Sequence, residues 1–260
     1  MRQRAVLEPS DDAWIHVRDG RRLAYRVAGP AGGFPVVYLH GAIGSPRWRT
    51  PQLDAVIARA GVRYVVVDRP GFGGSDPSPG RTVAAFARDV EDLADALGFG
   101  RFSVVGVSAG APYAIACAWA HGARLVATAA VSAVAPPSGP GGSRSLRYRV
   151  PTLAFGSPRA GALLAAATLR ALGVHGETAT PAMVEDYLVC RRPWGFDPAA
   201  VRTPVMLWHG AADPLIPATH ALRLAAAMPE CAPSLERGAG HFFYSRALER
   251  IIAPLVPAAA

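Results

Sequence analysis

Three polar residues stand in loops of small residues, and each could supply one part of a nucleophilic reaction. Ser108 is the centre of a Gly-Val-Ser-Ala-Gly stretch, Asp213 follows a Gly-Ala-Ala run, and His241 follows a Gly-Ala-Gly run. A serine hydroxyl is a poor nucleophile until a histidine takes its proton and an acid orients that histidine. These residue types make Ser108, His241 and Asp213 candidates for nucleophile, base and acid.

The nucleophile candidate occupies a turn between a strand-like and a helix-like segment. An apolar run at 102–105 precedes the turn, and a helix-like run at 111–120 follows it. Gly106 and Gly110 have no Cβ, so a strand and a helix can approach closely around a strained central residue. We expect such a turn to lift the Ser108 hydroxyl above the edge of a sheet.

An acyl-transfer site also needs hydrogen-bond donors for the oxyanion that forms on the substrate carbonyl. The backbone N–H of Ala109, directly after the serine and at a helix start, is the first expected donor. The second should come from the loop His40-Gly41-Ala42-Ile43-Gly44, where Gly41 allows a close approach. The N–H of Ala42 is the preferred donor in this loop and that of Ile43 the alternative. The histidine that opens the loop is expected to support it.

Each of the three loops has an ordinary interpretation when it is taken alone. Ser108 could lie in a surface turn, Asp213 could cap the helix that follows it, and His241 could be a turn histidine. Their combination favours the catalytic interpretation, because the order is serine, aspartate, histidine and each residue follows a strand-like run.

The rest of the chain alternates strand-like and helix-like segments. Two alternating runs at 14–18 and 22–27 predict an antiparallel hairpin. Near-continuous apolar runs, typical of strands buried on both faces of a parallel sheet, follow at 35–39, 64–67, 102–105, 126–134 and 205–208. Helices are predicted at about 51–60, 82–97, 110–121 and 218–228. This alternation predicts an α/β fold with a mostly parallel sheet flanked by helices, and such sheets bind ligands at the carboxyl ends of their strands.

The segment 136–200 interrupts this alternation. It opens with a turn-rich Pro/Gly/Ser stretch and then predicts two helices, near 159–172 and 181–190, with no strand between them. We interpret it as a helical lid inserted into a core domain of residues 1–135 and 201–260. Three apolar side chains are predicted to line a substrate pocket: Ile43, Trp194 and Phe242.

Composition excludes several classes of protein. The 260 residues are 51% hydrophobic, which suits one domain with a sizeable core. The formal net charge is +8, but all 27 basic residues are arginines scattered along the chain, so we predict no nucleic-acid binding. The chain has three cysteines, Cys117, Cys190 and Cys231. Their spacing is too wide for a disulfide framework or a metal site, so no metal is expected. Without a membrane-length apolar run or the apolar core of a secretory signal, a soluble, cytoplasmic protein is expected.

Five motifs resemble those of the α/β-hydrolase superfamily, capped serine-hydrolase type. They are His40-Gly41, Asp-Arg-Pro-Gly-Phe-Gly-Gly-Ser at 68–75, the serine turn, Gly-x-x-Asp at 210–213 and Gly240-His241. The resemblance implies that Ser108 is the nucleophile, Asp213 the acid and His241 the base. It also implies that the enzyme uses no cofactor and that residues 68–75 form a structural loop. Haloalkane dehalogenases and epoxide hydrolases of this fold carry an aspartate in place of Ser108, which disfavours their chemistry here.

We therefore predict a cofactor-independent serine hydrolase that acts on a small or medium-sized carboxylic ester through an acyl-enzyme. Hydrolysis of amides, lactones, thioesters or carbon–carbon bonds, and perhydrolysis, stay open because the same three residues serve each reaction. A ligand-binding receptor with a slow triad and a non-catalytic structural protein are the alternatives outside the enzymes. The expected partner is a small-molecule ester, and the sequence does not determine the oligomeric state.

Overall fold

The computed structural model of the protein describes residues 13–42, 50–136 and 181–257, together with Leu163. Within these residues the chain forms one sheet of eight strands. The strands are β1 Ala13–His16, β2 Arg22–Ala28, β3 Phe34–Leu39, β4 Val62–Val67, β5 Phe102–Val107, β6 Leu125–Val131, β7 Val205–Gly210 and β8 Cys231–Glu236. They lie in the order β1-β2-β4-β3-β5-β6-β7-β8, and every predicted strand overlaps with one of them.

The sheet is antiparallel at one end and parallel over the rest. β1 pairs with β2 and β2 with β4 in antiparallel fashion. The pairs β4-β3, β3-β5, β5-β6, β6-β7 and β7-β8 are all parallel. The central strands are covered on both faces, and β5 is buried along its whole length, which explains the near-continuous apolar runs. The parallel strands end at one edge, so the loops that follow them meet there.

Helices cover both faces of the sheet. The described residues contain α1 Pro51–Ala60, α2 Val83–Ala96, α3 Ala111–Ala120, α4 Pro181–Cys190, α5 Thr219–Ala227 and α6 Tyr244–Ile252. Side chains of α1 and α6 share one buried cluster with the sheet, and those of α2, α3 and α5 share a second. Val104 belongs to one cluster and Val105 to the other, as the alternation of side chains along a strand requires. The predicted α/β-hydrolase architecture is confirmed.

Local capping signals explain why two helix bounds were predictable. The Thr50 hydroxyl accepts from the Leu53 N–H at the start of α1, and the Thr82 hydroxyl accepts from the Ala85 N–H at the start of α2. α1 ends at Gly61, whose left-handed φ of 62° suits a residue without a side chain. Both helices therefore lie within a residue of the segments predicted.

β6 ends three residues earlier than predicted. The apolar run indicated a strand to residue 134, but the strand stops at Val131. Ser132 has a left-handed backbone with φ of 50°, which an extended strand cannot contain. Its N–H donates to the Trp208 carbonyl of β7 at 2.8 Å, so the chain bends at the sheet edge where the parallel strands end.

Of the two helices predicted in the lid, the second is present as α4. The first, near 159–172, lies outside the described residues apart from Leu163, and the division of the chain into core and lid stays a prediction. Among the residues that the structure describes, no helix combines the length and apolar character needed to cross a membrane.

Candidate active site

Ser108 sits at the turn between β5 and α3. Its φ of 54° is a left-handed conformation that costs a non-glycine residue free energy and that is found at strained functional turns. A Cβ on Gly106 would lie 2.3 Å from the Gly110 carbonyl oxygen, and a Cβ on Gly110 would lie 2.1 Å from the Leu39 carbonyl oxygen. Only glycines allow these approaches, so the predicted strand-turn-helix is present and packs against the end of β3.

The side chains of Ser108, His241 and Asp213 are in hydrogen-bond contact. His241 Nδ1 lies 2.7 Å from Asp213 Oδ2, and His241 Nε2 lies 3.0 Å from Ser108 Oγ. A carboxylate only accepts hydrogen bonds, so Nδ1 donates to Asp213 and the lone pair of a neutral imidazole at Nε2 faces the serine hydroxyl. The structure thus brings together three residues from distant loops, in an arrangement that can remove a proton from Ser108.

Asp213 is buried after β7, and both of its carboxylate oxygens accept hydrogen bonds. While Oδ2 accepts from His241, Oδ1 accepts from the backbone N–H groups of Leu215 at 2.8 Å and Ile216 at 3.0 Å. Burial acts to raise the pKa of Asp213, but the hydrogen bonds from His241 and the two N–H groups outweigh it and the pKa is lowered. Asp213 therefore stays ionised, and its Oδ1 binds the turn before α5. It does not cap α5, whose N-cap Ala218 receives no side-chain hydrogen bond, so the helix-capping interpretation is wrong.

Two polar side chains that the sequence analysis did not assign to the site support it from behind. His209 Nε2 lies 2.7 Å from the Ile216 carbonyl oxygen and 3.5 Å from Asp213 Oδ2. The Ser132 hydroxyl donates to the His241 carbonyl at 3.1 Å. Both residues stand at the ends of parallel strands, and that shared position is the signal that could have identified them.

The two expected oxyanion donors lie on either side of the serine turn. Ala109 directly follows Ser108 and is buried in the short 3-10 turn that leads into α3. Ala42 lies in the loop after β3, and the His40 carbonyl just before it faces Gly110, where a Cβ would be 2.6 Å away. This close approach places the two backbone segments side by side, and the donor role of both N–H groups stays a prediction.

His40 supports the same loop through two hydrogen bonds. Its Nδ1 donates to the Gly41 carbonyl at 2.7 Å, and its Nε2 accepts from the Arg69 N–H at 3.2 Å. Burial first, and then the nearby Arg69 guanidinium, lower the pKa of His40 to about 3, so the ring is neutral. The role suggested for this histidine agrees with its contacts.

The loop at 68–75 closes on itself. Asp68 Oδ2 accepts from the Gly74 N–H at 2.9 Å, and the Ser75 hydroxyl donates to the Asp68 carbonyl at 2.6 Å. The Asp68 carboxylate is thus engaged within its own loop, in agreement with the structural role expected for that segment.

The predicted pocket walls occupy different environments. Ile43 lies outside the described residues. Phe242 is 40% exposed, and its ring meets the His241 ring edge-on with centroids 5.0 Å apart. Trp194 is buried and donates from its indole N–H to the Cys190 carbonyl at 3.1 Å, which joins the end of α4 to the core. Contact of any of the three with substrate stays a prediction.

In the described part of the chain, no group of His, Cys, Asp and Glu side chains could hold a metal ion.

Comparison with known proteins establishes the family. Residues 36–253 match the sequence model of the alpha/beta hydrolase family. The chain belongs to this family. The protein is 26% identical over 123 residues to a proline iminopeptidase of Neisseria gonorrhoeae and 34% identical over 125 residues to a non-heme chloroperoxidase of Streptomyces lividans. These matches cover 46% and 47% of this chain, and it spans only 39% and 45% of those relatives.

The protein also shares its fold with a solved esterase from a Rhodococcus species. The TM-score is 0.72 at 23% sequence identity, and the match covers 94% of this chain and 99% of that one. A likeness at this level of identity concerns the arrangement of strands and helices and leaves the substrate open.

Proposed function

We propose that this hydrolase cleaves a carboxylic ester of a small molecule through an acyl-enzyme formed on Ser108. The observation that carries the proposal is the unbroken contact from Ser108 Oγ through His241 to Asp213, with distances of 3.0 and 2.7 Å. Membership of the alpha/beta hydrolase family and the shared fold of an esterase support the reaction class. The reaction as proposed uses no cofactor.

In the first half of the reaction, the Ser108 oxygen attacks the ester carbonyl carbon while its proton passes to His241 Nε2. The ionised Asp213 stabilises the imidazolium that forms. The N–H groups of Ala42 and Ala109 donate to the oxyanion of the tetrahedral intermediate. As this intermediate collapses, the bond to the alcohol oxygen breaks, that oxygen takes the proton from His241, and the acyl group stays on Ser108.

In the second half, a water molecule takes the place of the alcohol. Its oxygen attacks the acyl carbon while His241 Nε2 accepts its proton, and the same N–H groups hold the oxyanion again. The second intermediate collapses by breaking the bond to the Ser108 oxygen, which recovers its proton from His241 as the carboxylic acid leaves.

A fluorophosphonate probe tests the nucleophile, because it reacts with activated serine hydroxyls. We expect it to label the peptide that contains Ser108 in the unmodified enzyme and to leave Ser108→Ala unlabelled. Ser245→Ala is the matched control, since the Ser245 hydroxyl donates to the Phe242 carbonyl on an exposed turn and should not affect labelling. Labelling at another residue, or undiminished labelling of Ser108→Ala, would contradict the proposal.

A substrate panel tests the bond that is cleaved. We expect turnover of p-nitrophenyl esters with a rate that depends on acyl length, and much slower turnover of L-proline p-nitroanilide. An N-terminal proline carries a cationic amine, which an acidic side chain would have to bind. The acids of α4, Glu185 and Asp186, are already paired with arginines and so are not available for this. Faster cleavage of the anilide than of every ester would favour an amide substrate instead.

A further inference from the structure

Beside the serine turn lies a buried charge cluster that the proposed reaction does not use. We call it the Asp186 cluster, and its members are Arg69, Arg81, Tyr113 and Asp186. Asp186 Oδ1 is ion-paired with the Arg69 guanidinium, lies 3.2 Å from Arg81 Nη2 and accepts from the Tyr113 hydroxyl at 2.7 Å. Through this one carboxylate oxygen, α4 therefore contacts three segments. They are the loop after β4 at Arg69, the loop before α2 at Arg81 and the first turn of α3 at Tyr113.

The free energy of folding does not account for such a cluster. The side chains of Arg69 and Asp186 are 0% exposed, and that of Arg81 is 2% exposed. Burial acts to raise the pKa of Asp186, but the two guanidiniums outweigh it and the pKa is lowered, so the carboxylate stays ionised. Apolar replacements of buried ion pairs are often neutral or stabilising, because desolvation offsets the attraction. What the cluster contributes is therefore a fixed position for the segments that carry its side chains.

Arg69 connects the cluster to the loop after β3. Its Nε donates to the His40 carbonyl at 2.9 Å, and its backbone N–H donates to His40 Nε2 at 3.2 Å. Its guanidinium lies over the rings of Phe72 and Tyr113, 4.9 and 5.2 Å from their centroids, which restricts its rotation. Since His40 stands two residues before Ala42, these bonds hold the peptide that leads to Ala42, one of the two proposed oxyanion donors.

The same helix contacts Ala109, the residue whose N–H is the other proposed oxyanion donor. Cys190, four residues after Asp186 on α4, donates its thiol to the Ala109 carbonyl at 3.6 Å. Tyr113, which donates to Asp186, lies in the first turn of α3 directly after the serine turn. α4 therefore contacts Ala109 directly, at its carbonyl, and reaches the loop of Ala42 through Arg69.

We propose that Asp186 is a positioning residue that sets the spacing between the two oxyanion donors, Ala42 and Ala109. This proposal rests on the proposed function. Oxyanion donors act only when they lie about 2.7–3.1 Å from the oxygen of the tetrahedral intermediate, so small displacements remove most of their effect. Asp186 resists displacement because moving it away from Arg69 would leave two buried charges unpaired. Its loss should therefore affect the transition state more than substrate binding.

The test is Asp186→Asn, which keeps the shape of the side chain and removes its charge. We expect kcat on a p-nitrophenyl ester to fall about 10- to 100-fold while KM changes less than about 2-fold. Phenylboronic acid adds to the serine oxygen and places an oxygen of its own in the oxyanion site. Its inhibition constant should rise by the same factor as kcat falls.

Glu185→Gln is the matched control, because Glu185 is the neighbouring acid on α4, is 29% exposed and pairs with Arg81 at 3.1 Å. We expect it to keep the kcat, KM and boronic acid inhibition of the unmodified enzyme. A purely structural role for Asp186 would lower the melting temperature of Asp186→Asn but leave kcat and the inhibition constant unchanged in the folded fraction. That result would overturn the proposal.

Tyr113→Phe keeps the test decisive if Asp186→Asn does not fold, since it removes one hydrogen bond and no charge. We expect a fall in kcat of about 3-fold at unchanged KM, and an unchanged kcat would contradict the proposal. The two proposals fail in different ways. If the proposed ester hydrolysis at Ser108 is wrong, the unmodified enzyme turns over no p-nitrophenyl ester, and if Ser108 is not an activated nucleophile, phenylboronic acid does not inhibit it either. If only the positioning proposal is wrong, it inhibits the unmodified enzyme and the folded variant equally.

Discussion

Two buried aspartates flank the serine turn, and their partners are of different kinds. Asp213 accepts from His241 and from two backbone N–H groups, none of which carries a permanent charge. Asp186 is held by Arg69 and Arg81, which are always charged. The pKa of both carboxyl groups is lowered despite burial, so both are ionised at neutral pH.

The difference separates two tasks that a carboxylate can perform beside a nucleophile. The charge of Asp213 is fully balanced only when His241 takes a proton, so in the proposed reaction it would favour the charge that develops on His241. The charge of Asp186 is balanced at every stage and gives no such preference. It instead holds its neighbours in place, because an ion pair in a dry interior is costly to separate.

The same substitution at the two aspartates tests this distinction most strongly. Asp213→Asn should lower kcat about 10,000-fold, because the amide can donate to His241 Nδ1 and favours the tautomer with its proton on Nε2. Asp186→Asn should lower it only about 10- to 100-fold. Release of p-nitrophenolate measures both, and circular dichroism checks the fold of each variant. Equal losses at the two positions would remove the distinction.

Gly110→Ala should disturb the geometry of the proposed oxyanion site without changing a charge. Its Cβ would lie 2.1 Å from the Leu39 carbonyl oxygen and 2.6 Å from that of His40, so the loop after β3 must move. We expect a loss of about 1–3 kcal/mol in the free energy of unfolding and a fall in kcat of about 100-fold. Gly100→Ala is the control, because its Cβ would have no described atom within 4 Å. A fully active Gly110→Ala would show that this spacing has no effect on the reaction.

The buried histidines and the two aspartates should affect the free energy of unfolding over different ranges of acidic pH. Burial first, and then Arg69 beside His40 and Arg223 beside His220, lower the pKa of His40 to about 3 and that of His220 to about 4. Below pH 6.5 the unfolded chain binds protons that the folded chain does not, so stability falls with pH. Each histidine should contribute a slope of up to about 1.4 kcal/mol per pH unit, steepest midway between pH 6.5 and 4.

The aspartates behave differently in the same titration. Because their pKa values are lowered, their contribution to stability is complete above pH 3.8 and is lost only as the pH falls further. Urea unfolding at several pH values measures the slope between pH 6.5 and 4. His220→Gln should reduce it by up to about 1.4 kcal/mol per pH unit, whereas an unchanged slope would mean that His220 titrates normally.

The smallest effect is expected at Ser132, behind the histidine. Ser132→Ala removes the hydroxyl that donates to the His241 carbonyl at 3.1 Å, so stability should fall by about 1 kcal/mol and kcat by about 3-fold. Ser132→Gly loses the same hydroxyl but suits the left-handed φ of 50° better. Chemical unfolding should therefore find Ser132→Gly more stable than Ser132→Ala, and the reverse order would show that the backbone conformation costs little.

Patterns between near neighbours predicted much of the fold and the contact of Ser108, Asp213 and His241. The serine turn was recognisable because two glycines bracket it, and the three loops meet because the strands before them are parallel and end at one edge. The end of β6 was not predictable. The apolar side chains after Val131 suit a strand, and their types do not reveal that Ser132 adopts a left-handed φ.

Sequence patterns also could not predict contacts between segments that are far apart in the chain. Arg69 was recognised only as part of a structural loop, and Asp186 was not singled out at all. Their partnership depends on how α4 packs beside the serine turn, after a long stretch of intervening chain. No spacing rule links two such residues.

The sequence by itself determined the alternation of strands and helices as far as α5 and the identity of the three residues proposed for catalysis, because hydrophobic periodicity and glycine-bracketed turns act over a few residues; the last helix, α6, was not predicted. Only the tertiary structure decided which arginines hold Asp186 and that one of them, Arg69, also binds the loop after β3. With 27 basic and 19 acidic residues, the chain offers many pairs of opposite charge. Burial selects among them, because only a pair enclosed by packed helices and strands is both removed from water and fixed in place.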